Sequence, residues 1–132
     1  MKLQAAVALL ATAFLFGGAL LYSSAFAAFL FRALPADEAG SLLRRAFAGY
    51  YLWLVATSAL AALLYLGVDG TSSLLLLAIA VSTLPVRQYL MPAINAASDR
   101  GDKRRFHWLH GASVAVGILQ LVVAGYVLLR VL

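Results

Sequence analysis

The stretch RGDKRRFHWLHGASVAVGILQLVVAGYVLL, Arg100 to Leu129, sets four basic residues within its first six positions against a run from Phe106 onward that carries no Asp, Glu, Lys or Arg. A helix rising ~1.5 Å per residue crosses a hydrocarbon core of ~30 Å in about 20 residues, so this run is long enough to span a bilayer with its basic flank at one border. Two histidines three positions apart, His107 and His110, fall at that border, and they read either as a metal-binding pair or as part of the membrane edge. Helical phase separates them. His110, Ser113, Gly117, Gln120 and Ala124 recur at three, four, three and four residues and fall within an arc of roughly 80°, with His107 about 100° from its centre. His110 thus belongs to a stripe of small and polar residues, His107 to the headgroup level, and the two do not face one metal.

Working outward, the whole chain has this character. Its 132 residues are 64% hydrophobic with a mean hydropathy of +0.96, whereas soluble domains run at about 45–50% apolar. Besides 106–129, the segments 5–31, 46–68 and 74–95 are long and apolar enough to cross, and among the four only 74–95 contains a charge, Arg87. The expected fold is therefore an all-α integral membrane protein, one domain over residues 1–132, with four transmembrane helices in an antiparallel bundle. Ala25-Phe26-Ala27 resembles a leader cleavage site, but the apolar stretch ahead of it is too long for a signal peptide and continues to Phe31, so the segment reads as a span. Without cysteine the chain holds no disulfide or thiolate ligand.

Charge sets the expected orientation. Arg32, Arg44, Arg45, Arg100, Lys103, Arg104 and Arg105 collect on one side of four alternating spans, and only Lys2 and Arg130 on the other. The positive-inside rule then places loops 32–45 and 96–105 in the cytoplasm and both termini outside. The net charge of +5 is accounted for by anionic lipid headgroups beside the spans, and no nucleic-acid partner is expected. In the first loop, Pro35 followed by Asp37 and Glu38, with Arg44 and Arg45 later, predicts a helix beginning near Ala36 that lies on the membrane or runs straight into the second span. Tyr50, Tyr51 and Trp53 read as an aromatic belt near its cytoplasmic end.

Helices in lipid associate through small and weakly polar residues. Ala13, Gly17, Leu21, Ser24 and Ala28 form one such stripe on the first span, so Gly17, Ser24, Gly117 and Gln120 are expected at helix contacts. The third span is irregular: Pro85 and Pro92 each remove a backbone hydrogen bond, which implies protein contact or a wet cavity there. Pairing the third and fourth spans as a hairpin sets Gln88 level with Ser113 and Met91 level with His110. Arg87, Gln88, Asn95, His110 and Ser113 are the resulting candidates for a polar intramembrane layer, with Arg87 equally able to reach a lipid phosphate.

These residues carry a resemblance. Leu34, Ala39 and Gly40 after a glycine-containing first span, then Phe47, Tyr50 and Tyr51, then Pro92 and Asn95, and finally Phe106, Leu109, His110 and Ser113 make the chain resemble the bacterial domain of unknown function 4149, which is similar to the transmembrane protein 205 family. Gly49 and Gly117 depart from the proline and asparagine that the pattern has there. The resemblance implies a four-helix membrane protein, in the bacterial inner membrane, and no settled activity.

No nucleophile, carboxylate pair or nucleotide loop names a reaction, so no catalytic residue, metal ligand or cofactor is assigned. The expected function is that of a small non-enzymatic membrane bundle that assembles with itself or with a membrane partner through its small-residue stripes. The alternative is a carrier or resistance protein for a small molecule or metal, or a copper- or haem-binding subunit, for which Met91 and His110 are the level pair of ligand types.

Overall fold

The computed structural model describes residues 2–131, and they form four long helices: α1 (Lys2–Ala33), α2 (Ala36–Leu64), α3 (Gly70–Asp99) and α4 (Lys103–Leu129). All four are apolar and long enough to cross a membrane. The turns between them follow from local chemistry. Leu34 precedes a proline, which excludes it from the helical region, and its extended backbone (φ −128°, ψ 155°) ends α1. Asp37 and Glu38 then occupy the first turn of α2, where carboxylates meet the positive end of the helix dipole. That helix runs unbroken into the span. It ends at Leu64, short of the 46–68 expected from hydropathy, because the chain turns through Gly67 at φ +78°, a conformation glycine adopts without strain. Gly101, at φ +69°, turns α3 into α4 in the same way.

Each helix packs on the next and α4 returns to α1, which closes an antiparallel four-helix bundle. Packing is uneven along the bundle axis. The core joins Ala8, Leu15 and Ala19 of α1, Leu54 and Ala61 of α2, Leu76 and Ile79 of α3, and Ala124 and Val127 of α4. Most of these lie in the half remote from Arg32, Arg44 and Arg100. On α4 only Ala124 and Val127 are buried, so toward the basic end this helix stands away from its neighbours.

Polar brackets lock the tight half. The Gln4 side-chain amide donates to the carbonyls of Leu64 and Leu66, 2.9 Å each, satisfying the end of α2. Ser73 donates to the Ala62 carbonyl at 2.7 Å, tying α3 to α2. Asp69 caps α3: its carboxylate accepts from the Ser72 hydroxyl at 2.7 Å and from Arg130 Nε at 3.1 Å, so the residue directly after α4 is joined to the first turn of α3.

The Arg130 guanidinium, and then Ser72, hold the Asp69 carboxyl below its ordinary 3.8, at about 2. A carboxyl with a lowered folded-state pKa adds stability that is complete above its ordinary value and is lost as the pH falls through the lowered one. The thermal midpoint should therefore fall between about pH 4 and pH 2 more steeply in the wild type than in Asp69→Ala. At neutral pH that variant should lose about 1 kcal/mol, the usual cost of a missing N-cap. Parallel pH slopes for the two proteins would refute the assignment.

Candidate functional site

Where the basic halves of the helices part, they enclose a cavity of about 820 Å³. Pockets that hold drug-sized ligands run from about 300 to 1,000 Å³, so the space suits an organic molecule rather than an ion. All four helices contribute to it. It reaches from Leu15, Leu54 and Ile79 at mid-bundle to Phe31, Arg44, Asn95, Phe106 and His110 toward the basic end. The apolar residues Leu20, Phe31 and Ile118 line it and are nevertheless exposed. Beyond Leu20, α1 makes few close approaches to α4, and the cavity opens sideways through that gap.

Two wide turns flank the cavity. In α1 the backbone is π-helical over Leu21–Phe26, and in α3 over Val86–Leu90, directly after Pro85. Such turns leave backbone carbonyls without regular partners and recur at functional sites. Local hydroxyls take up part of the deficit: Ser23 donates to the Ala19 carbonyl at 2.6 Å and Ser24 to that of Leu20. On α3, Thr83 donates to the Ile79 carbonyl at 2.7 Å. The expectation that prolines here imply protein contact finds its counterpart in Gln120 of α4, whose amide donates to Ser82 at 2.9 Å and to Thr83 at 3.0 Å.

The small and polar stripe of α4 faces this space: His110, Ser113, Gly117, Gln120 and Ala124 all line it. Gly117 has nothing within 4 Å of the position of a Cβ, so it borders open space instead of a helix. Ser113 Oγ and the Tyr51 hydroxyl are 3.4 Å apart. His110 is exposed to the opening, its ring stacked parallel to Phe106 with centroids 5.4 Å apart. Asn95 and Met91 complete the same wall. Of the candidate polar layer, then, Asn95, His110 and Ser113 come together. Gln88 is exposed and lies outside the lining. Arg87 turns to α2, where its Nε donates to the Ala48 carbonyl at 3.2 Å.

The α1 stripe is divided. Ser24 lines the cavity, whereas Gly17 is exposed with nothing within 4 Å of a Cβ position. The close approach is made by its neighbour: a Cβ on Gly18 would stand 2.5 Å from Cη2 of Trp53. The tyrosines read as an aromatic belt are also more deeply engaged. Tyr50 is buried, stacks on Tyr22 at 4.9 Å with the rings 5° from parallel, and lines the cavity together with Phe47 and Tyr51. Their spacing at i, i+3 and i+4 marks one helix face.

Arg44 is a cavity-lining side chain that sequence reasoning left among the loop charges. Its Nη2 donates to Asp99 Oδ1 at 2.8 Å and to the Asn95 carbonyl at 3.4 Å, and the residue forms part of the cavity wall. No His, Cys, Asp and Glu side chains gather in threes as a metal site among the described residues.

No match exists among curated proteins or among solved structures. A family model does match, over residues 10–103. That range takes in α1 from Leu10 onward, the whole of α2 and α3, and the residues 34–51 and 92–95 that carry part of the resemblance, but it stops before Phe106, His110 and Ser113. The match covers well over half of the chain, and the chain belongs to the family described as Domain of unknown function (DUF4149).

Proposed function

We propose that the protein is a non-enzymatic membrane bundle that binds an amphipathic small molecule in its sideways-open cavity and holds or passes it within the bilayer. The observation that carries this reading is the cavity itself, about 820 Å³ with apolar walls at mid-bundle and polar groups gathered at one end. A bundle built only for packing has no use for such a gap, since lost van der Waals contact destabilises helices that have no hydrophobic drive to associate. The opening between α1 and α4 lets a ligand enter from the lipid without crossing the headgroup layer.

Gly117→Trp tests it by filling the cavity from a position that borders open space. Binding of a fluorescent acyl amphiphile should weaken at least about tenfold, while Gly49→Trp, outside the lining, should leave it unchanged. Unaltered binding in Gly117→Trp would overturn the reading, and so would cross-linking in native lipid that places a second copy of the chain in the gap between α1 and α4. The basic end faces the cytoplasm in this proposal. A cysteine replacing Arg100 should then be protected from impermeant thiol reagents in intact cells and one replacing Val131 labelled, and the reverse pattern would invert the topology.

A further inference from the structure

We infer that the occupant of the cavity is an anionic amphiphile drawn from the surrounding leaflet, with its carboxylate or phosphate on Arg44 and its chain directed toward Leu15, Leu54 and Ile79; this rests on the binding reading above. The wall contains no Asp, Glu or Lys, and Arg44 is its one permanently charged side chain. Both described hydrogen bonds of Arg44 use the same nitrogen, Nη2. Asp99 and the Asn95 carbonyl therefore anchor the guanidinium while Nε and Nη1 have no partner among the described residues. The N–H groups on Nε and Nη1 stay free to donate charge-assisted hydrogen bonds, one at a time, to the oxygens of a carboxylate or phosphate. Asp99 lies outside the wall and its side chain is 65% exposed, so it positions Arg44 without filling the site.

The surroundings favour the same sign of ligand. Asn95 and His110 add side chains able to donate hydrogen bonds in the same wall, whereas a cationic head would find no carboxylate there. Arg32, Arg45, Arg100 and Arg104 are exposed at this end of the bundle and raise the local concentration of anions. Depth agrees as well. Arg44 stands ~12 Å along α2 from its start, at the border where a leaflet lipid carries its head, and the apolar end of the cavity lies where that lipid carries its chain.

The test uses the full chain in nanodiscs of zwitterionic lipid, with hexadecanoate, hexadecyl phosphate and hexadecanol as probes of one chain length, at about pH 9.5, where a carboxyl whose pKa the bilayer raises is still ionised. The two anions should bind at least about tenfold more tightly than the alcohol, as a charge-assisted hydrogen bond exceeds a neutral one. Arg44→Gln should bring them down to the level of the alcohol and leave the alcohol unchanged. Gly49→Trp, outside the wall, should retain the preference. Equal binding of all three probes by the wild type, displaced in each case by Gly117→Trp, would overturn the anion assignment while leaving the cavity reading intact. A preference that survives Arg44→Gln would overturn it too. Failure of every probe to bind would overturn both readings, and displacement of hexadecyl phosphate by inorganic phosphate would replace the leaflet lipid with a soluble anion.

Discussion

Replacing Gly18 with leucine lowers the thermal midpoint of the purified protein, while the same change at Gly17 leaves it unmoved. A Cβ at position 18 would lie 2.5 Å from Cη2 and 2.9 Å from Cζ2 of Trp53, inside any normal carbon–carbon contact, whereas at position 17 nothing lies within 4 Å. Trp53 is not free to swing aside without loss, since its ring meets Phe14 edge-on at 5.4 Å and stacks on Tyr50 at 5.9 Å. Overpacking of this sort costs about 1–3 kcal/mol. The indole is a side chain and not backbone, so removing it should relieve the clash: Gly18→Leu combined with Trp53→Ala should be less unstable than the two single losses added together. Strict additivity would show that the two residues do not meet, and equal midpoints for the Gly17 and Gly18 variants would remove the α1–α2 contact on which the tight half depends.

The contrast between these glycines shows what the sequence could and could not reveal. Span number, helix type and alternation were legible because ~20-residue apolar runs in lipid have one backbone solution. Phase was legible on α4, where His110, Ser113 and Gln120 contrast with Leu, Ile and Val, and all three line the interior space. On α1 it was not. Lys2–Leu20 is apolar around almost its whole circumference, and the buried positions Ala8, Thr12, Leu15 and Ala19 lie about 150° from Ala13 and Gly17 of the small-residue stripe, on nearly the opposite face. Small residues mark a close approach only if a neighbour is present, and the neighbour, Trp53, belongs to another helix. Arg44 was hidden for a related reason. Charge counting assigns an arginine to a side of the membrane, but its contact with Asp99, 55 residues away, depends on how α2 and α3 pair.

Leucine-to-alanine changes two residues apart on α3 separate core from lipid-facing surface, and they carry the second large effect. Leu76 is 0% exposed and Leu74 is 69% exposed. In a soluble protein a fully buried leucine costs about 2–5 kcal/mol to truncate, through lost transfer energy and the cavity left behind. In a bilayer the transfer part falls away, because a leucine released from the core enters hydrocarbon as apolar as the core it left. What remains is the cavity, so Leu76→Ala should cost about 1–3 kcal/mol and Leu74→Ala close to nothing. Leu76 belongs to the core that includes Tyr65 and Val127, so the loss should be felt in the tight half and spare amphiphile binding at the basic end. Thermal midpoints of both variants in one detergent, with probe affinity measured alongside, decide the matter. Equal midpoints would show that the helices do not pack through Leu76, and a loss of affinity matching the loss of stability would show that the two halves of the bundle act as one unit.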